Sequence, residues 1–137
     1  MNKVFNYRSW NMDAAALLLR LVFGGLFVYH GWTKIQMYDQ ILPHFPDLIG
    51  IGSKLSFNLV IFAEFFCGIL VVIGLLTRLA VIPILITMIV VNFIALAKAD
   101  FQAKELPLVF LVLCLVVLIL GPGKYSVDGM ITNRRNM

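Results

Sequence analysis

Charge is scarce in this sequence. Only 13% of its 137 residues are Asp, Glu, Lys or Arg, while 61% are hydrophobic. A soluble domain of this size needs more polar surface, so soluble enzymes and soluble binding modules are excluded. Histidine and cysteine are scarcer still, with two of each. Cys67 and Cys114 lie inside apolar runs and form no Cys-x-x-Cys pair, which argues against a dithiol redox centre. His44 falls in a loop, leaving His30 as the one histidine at membrane depth. Haem is therefore not expected, and no cluster has metal-ligand spacing. Basic residues interleaved with aromatics on a polar face are also missing, so nucleic acid is not expected as a partner.

What fills the chain is apolar runs, and the mean hydropathy is +0.96. Spans are expected at about 14–32, 55–76, 79–97 and 106–121, each near the roughly 20 residues a bilayer requires. The fold class is all-α: one membrane domain, a four-helix bundle. The first run follows a basic lead with Lys3 and Arg8, as a signal peptide would. No Ala-x-Ala site follows it, so it is read as a retained span. Asp13 is its expected N-cap, and Thr77-Arg78 the tight turn between the second and third spans. Pro83 and Pro107 fall early in the third and fourth spans, and Gly121-Pro122-Gly123 ends the fourth.

Residues 33–54 form the longest connection. Ile41, Leu42, Phe45, Leu48 and Ile49 suggest that it lies on the membrane surface, where it could serve as a lid. An even number of spans puts both termini on one side. Six basic residues lie there (Lys3, Arg8, Arg78, Lys124, Arg134, Arg135), against Lys34, Lys54, Lys98 and Lys104 opposite. That bias places both termini in the cytoplasm.

The stretch Leu17–Lys34 organises the rest. At about 100° per residue, Arg20, Gly24, Phe27, Gly31 and Lys34 share one helical face with His30 beside it, while Leu18, Val22, Leu26 and Tyr29 point elsewhere. A basic side chain near the bilayer centre costs about 2.5–3.5 kcal/mol on insertion scales, so this face must look inward. Glu64, almost at the midpoint of the second span, is the expected partner of Arg20. Such a pair either fixes helix register or forms a site for a polar group or for protons. His30 could relay protons to Glu64, or hold a structural hydrogen bond. Snorkelling alone explains Lys98 and Lys104. Asn92 reads as interhelical glue. Gly24, Gly25, Gly31 and Gly68 permit close helix approach or make room for a flat ligand.

Arg20-Leu-Val-Phe-Gly-Gly with His30-Gly31-Trp32-Thr33-Lys34 resembles the first-span pattern of the DoxX family of small bacterial membrane proteins. So do Glu64 with Gly68, Gly74-Leu-Leu-Thr-Arg78, Glu105, and Gly121-Pro-Gly-Lys-Tyr-Ser-Val-Asp128 in that order. The resemblance implies a four-helix membrane bundle, in a family whose members include subunits of quinone-coupled oxidoreductases. What carries over is a candidate pocket of Arg20, His30, Lys34, Glu64 and Glu105; the expected reading is a quinone site with His30 and Glu64 exchanging protons and Arg20, Lys34, Glu105 and Asn92 holding the cofactor. Besides the lipid bilayer, a soluble or membrane redox partner and copies of the same chain are the partners to expect. The rival reading is a non-enzymatic scaffold, chaperone or lipid-binding protein whose charges only hold the bundle together. A small transporter is a third, disfavoured by the lack of an internal repeat.

Overall fold

A computed structural model describes residues 11–45, 47 and 50–135, with side chains through residue 132. The basic residues Lys3, Arg8, Arg134 and Arg135 and the loop residues Leu48 and Ile49 lie outside the described backbone or side chains. Four helices are long and apolar enough to cross a membrane: α1 Met12–Gln36, α3 Ser53–Ile73, α4 Thr77–Ala95 and α5 Phe101–Leu120. Between α1 and α3 lies the short α2, Tyr38–Ile41, continued by a 3-10 turn at Leu42–His44. A last helix, α6, spans Val127–Arg135. No strand occurs among the described residues.

The boundaries differ from the sequence expectations in physically clear ways. Asn11, not Asp13, caps α1, its side-chain oxygen accepting from Ala14 N at 3.0 Å. Asp13 instead accepts from Lys124 N at 2.9 Å, binding the start of the first span to the segment after the fourth. The tight turn falls at 74–76, and Thr77 and Arg78 already belong to α4. The fourth span starts at Phe101, so Pro107 is an interior residue of α5 rather than an early one. The polar tail folds back as α6.

α1 buries the face that holds Ala16, Arg20, Phe23, Gly24, Phe27 and Gly31. Its other side is exposed, Leu18 and Tyr29 each by 65%, as a lipid-facing surface should be. Small residues set the α1–α3 contact. A Cβ on Gly24 would stand 2.8 Å from the Val72 side chain and 2.9 Å from Gly68 O, and one on Gly31 would meet the Phe65 backbone. Without a hydrophobic drive between helices in lipid, such close backbone approach supplies the packing. Phe23, Phe27 and Phe110 join α1 to α5, with centroids 4.7 to 6.4 Å apart. Val71, Val81, Ile84, Cys114 and Val117 complete the core.

Two wide turns interrupt the spans. α3 is a π-helix over Phe62–Phe66, and α4 ends in one over Val91–Ala95. Glu64 lies in the first and Asn92 in the second. A π turn inserts an extra residue into the helix and re-aims the side chains around it, and such turns recur at functional sites. Below the first π turn α3 and α4 pack closely toward their connecting turn; above it they diverge.

Candidate functional site

Two basic residues on α1, the buried Arg20 and the half-buried Lys34, define two polar centres. Arg20 is 1% exposed and faces the end of α3. Its guanidinium donates to Val71 O at 3.3 Å, to Val72 O at 2.9 Å and to Tyr125 O. Val71 and Val72 belong to the last turn of α3, where carbonyls lack intrahelical partners, so Arg20 caps that helix. Gly74 closes the helix with φ +77°. A Cβ there would collide with Ser126 and with Arg20, so glycine is required both for the backbone angle and for the close approach.

The tail completes this centre. The Asp128 carboxylate accepts from Leu76 N at 2.8 Å and Thr77 N at 3.0 Å, capping the N-terminus of α4. Asp128 N in turn donates to Gly74 O at 2.9 Å. These bonds hold Leu76 in the left-handed region at φ +50°, a conformation that costs about 1–2 kcal/mol for a non-glycine residue. Arg78 Nε donates to Leu118 O at 3.0 Å. The segments Gly74–Arg78 and Gly121–Asp128 thus interlock, and every partner of Arg20 is a backbone carbonyl of this closure.

The expected Arg20–Glu64 pair does not form. Gly31 lies against Phe65 and Gly24 against Val72, which fixes the antiparallel register. In that register Arg20 is level with the 74–76 turn, roughly 18 Å along the axis from Glu64. Arg20 is correspondingly remote from any pocket built on Lys34. Gly24, Gly31 and Gly68 are filled by helix contact and leave no slot for a flat ligand there, while nothing lies within 4 Å of a Cβ on Gly25.

Glu64 pairs with Lys34 instead, Nζ to Oε2 at 2.7 Å, with the two side chains 25% and 7% exposed. Lys34, in the last turn of α1, reaches back along the bundle to an acid at the middle of α3. The pair lines a cavity of about 520 Å³ between the diverging halves of α3 and α4. Its other walls are almost wholly apolar, including Val60, Ala63, Val90 and Val91. Phe45, from the connection after α1, also lines it. Phe45 stacks on Phe57 at 4.9 Å, Tyr38 stacks on the same ring at 5.2 Å, and Tyr38 Oη meets Asn58 Oδ1 at 2.8 Å. Phe45 thus brings one apolar side chain of the connection to the cavity wall.

The remaining candidates fall outside the cavity. His30 is half-buried and makes edge contacts with Tyr29, Phe27 and Phe110 at 5.9 to 6.4 Å, on the side of α1 facing α5. Glu105 is exposed on α5. Asn92 is 5% exposed and its Nδ2 donates to Met88 O at 2.8 Å and Pro107 O at 3.0 Å, tying α4 to α5. That is the interhelical role expected of it. Cys67 and Cys114 are buried and free. Among the described residues no group of His, Cys, Asp and Glu has the arrangement of a metal site.

Sequence reasoning passed over Ser56. It lines the cavity, is 6% exposed, and its hydroxyl has no hydrogen-bond partner. A helical serine usually bonds back to the carbonyl four residues earlier, so only the structure reveals that this one does not.

A curated protein described as an uncharacterized membrane protein of Mycobacterium tuberculosis is 31% identical over 135 residues, covering 88% of this chain and 83% of its own length. No solved structure matches the chain. The family model DoxX matches residues 15–97, the first three spans, with the Lys34–Glu64 pair and the Gly74–Arg78 turn inside the match. This integral membrane protein belongs to the DoxX family.

Proposed function

We propose that the protein is the membrane subunit of a quinone-linked oxidoreductase system and that the cavity between α3 and α4 holds the quinone. The observation that carries this reading is an ion pair, Lys34–Glu64, set in the wall of an otherwise apolar cavity within the membrane. Ionisable groups are expensive at that depth and are functional suspects by default. About 520 Å³ lies within the range of small-molecule sites, which are mostly apolar with a few placed polar groups. The residues present suit a quinone: a cationic donor for a ring oxygen, an acid beside it, and apolar walls for the substituents.

A bound quinone supplies the capacity to accept or release electrons together with protons. Lys34 Nζ would hold a ring oxygen by a hydrogen bond, and Glu64, which orients Lys34, would offer a carboxylate for proton exchange. The apolar walls lower the local dielectric around the pair, which strengthens its interaction with a polar ring oxygen. Leu59, Phe62 and Ile86 line the cavity yet are 48%, 48% and 56% exposed, so an isoprenoid tail can leave between α3 and α4 into lipid. Electrons come from a redox partner, since the two free cysteines are buried on different helices. His30 stays outside this chemistry, packed among aromatic rings. The protein is assigned to a bacterial cytoplasmic membrane with both termini inside, on the distribution of its basic residues.

The test is binding. Protein purified in mild detergent is examined by mass spectrometry for copurifying quinone and titrated with a decyl-substituted para-benzoquinone. Saturable binding is expected, weakened about tenfold or more by Lys34→Met and by Glu64→Gln in variants that remain monodisperse. Lipid or a protein partner in place of quinone, with no saturable binding, supports the scaffold reading.

A further inference from the structure

Four polar side chains line the cavity between α3 and α4: Lys34, Ser56, Glu64 and Thr87. Two of them have little to offer an occupant. The Ser56 hydroxyl is sealed from the cavity, and the Thr87 hydroxyl donates to Pro83 O at 2.9 Å. The polar chemistry of the cavity is therefore concentrated at the Lys34–Glu64 pair. Lys34 Nζ donates to Glu64 Oε2 at 2.7 Å, and an ammonium has further N–H donors beyond that one. Glu64 Oε1 accepts from no described residue, and it is not among the buried polar atoms that lack both a partner and accessible surface. The pair thus presents a free donor and a free acceptor at one point of an apolar wall.

The two redox forms of a quinone differ in what they can do at such a point. An oxidised ring carries carbonyl oxygens, which only accept. A reduced ring carries hydroxyls, each of which accepts and also donates. We infer that the pair selects the reduced form, Glu64 Oε1 accepting the ring O–H while Lys34 Nζ donates to the same oxygen. A carbonyl at that place takes only the Lys34 bond, and its lone pairs face a carboxylate oxygen left unmatched. An unmatched charged acceptor beside apolar walls is costly, and a hydrogen bond to a charged group is among the stronger kinds. The reduced form is therefore held about tenfold more tightly. That preference raises the potential of the bound two-electron couple by about 30 mV, so the bound ring is easier to reduce. The inference rests on the quinone reading and deepens it by naming the redox state that the site prefers.

The experiment titrates purified full-length protein anaerobically with three probes: a decyl-substituted para-benzoquinone, the hydroquinone made by reducing it, and the dimethyl ether of that hydroquinone. Wild-type protein should bind the hydroquinone about tenfold more tightly than the quinone. The ether, which has lost the O–H, should bind no more tightly than the quinone. Glu64→Gln, in protein that remains monodisperse, should bring the quinone and hydroquinone affinities to within about twofold of each other. Equal affinity of wild-type protein for the two redox forms, an ether that binds as tightly as the hydroquinone, or a preference that survives Glu64→Gln would overturn the assignment. The ether comparison needs no variant, so it decides the matter even if Glu64→Gln does not fold. Saturable binding of both redox forms without preference removes this inference alone, whereas binding of neither removes the quinone reading with it.

Discussion

Arg20 and Lys34 share one face of α1, yet the bundle treats them differently. Arg20 is 1% exposed and turned onto backbone carbonyls, while Lys34 retains 25% exposure of its side chain and faces a single carboxylate beside an apolar cavity. Around Arg20 the tail closes on the bundle through Tyr125 and Asp128, although Arg20 Nε and Thr77 Oγ1 have no partner among the described residues. Around Lys34 the helices separate, a π turn carries the acid, and a large apolar cavity opens beside the pair. A buried charge in a membrane therefore does not by itself announce a site. What its partners leave unfilled is the better guide.

The sharpest way to break the comparison is to remove each base. Arg20→Leu uncovers the carbonyls at the end of α3 and loses charge-assisted bonds, so stability in detergent melts should fall by about 3–5 kcal/mol. A loss below 1 kcal/mol would mean that the tail does not close on Arg20. Gly31→Ala pushes a Cβ to 2.7 Å from the Phe65 backbone, which no side-chain motion relieves. It should cost about 1–3 kcal/mol by parting α1 from the π turn, and Gly25→Ala, with open space around it, should cost nothing measurable. Asp128→Ala removes the cap from α4 and should cost about 1–2 kcal/mol, without affecting quinone binding. Any change in binding with that variant would couple the two ends. Smallest in stability is Lys34→Met, about 1 kcal/mol for a partly exposed pair, although it should have the largest effect on binding. A melt as damaged as that of Arg20→Leu would return the Lys34 end to a structural role.

The four spans and the inward face of α1 were legible because hydropathy and the 3.6-residue period are local properties of the chain. The ion pair was legible only in its members. Glu64 reads as a buried acid needing a base, but hydropathy does not fix the register that decides which base of α1 it meets. Contact at Gly31 and Gly24 sets the actual register, moving Arg20 to the turn and bringing Lys34 within reach. The glycines were in view as small residues; which surface each would meet was not. Helix ends at Asn11 and Phe101 depended on capping and on polar residues absorbed into a first turn, where hydropathy is a poor guide. Nothing in the sequence distinguishes a π turn at Phe62–Phe66 from an ordinary one, and the free hydroxyl of Ser56 depends on how helices diverge.

The closure between Arg20 and the tail also has a consequence for synthesis. Arg20 and Tyr125 are 105 residues apart, and the ribosome delivers Arg20 first. Until the segment after α5 emerges, α1 waits in the membrane with one arm of its guanidinium unmatched, and α4 waits without its cap. The segment made after the fourth span is thus the latch that completes the first. A chain that stops after Leu120 holds all four spans but lacks the latch.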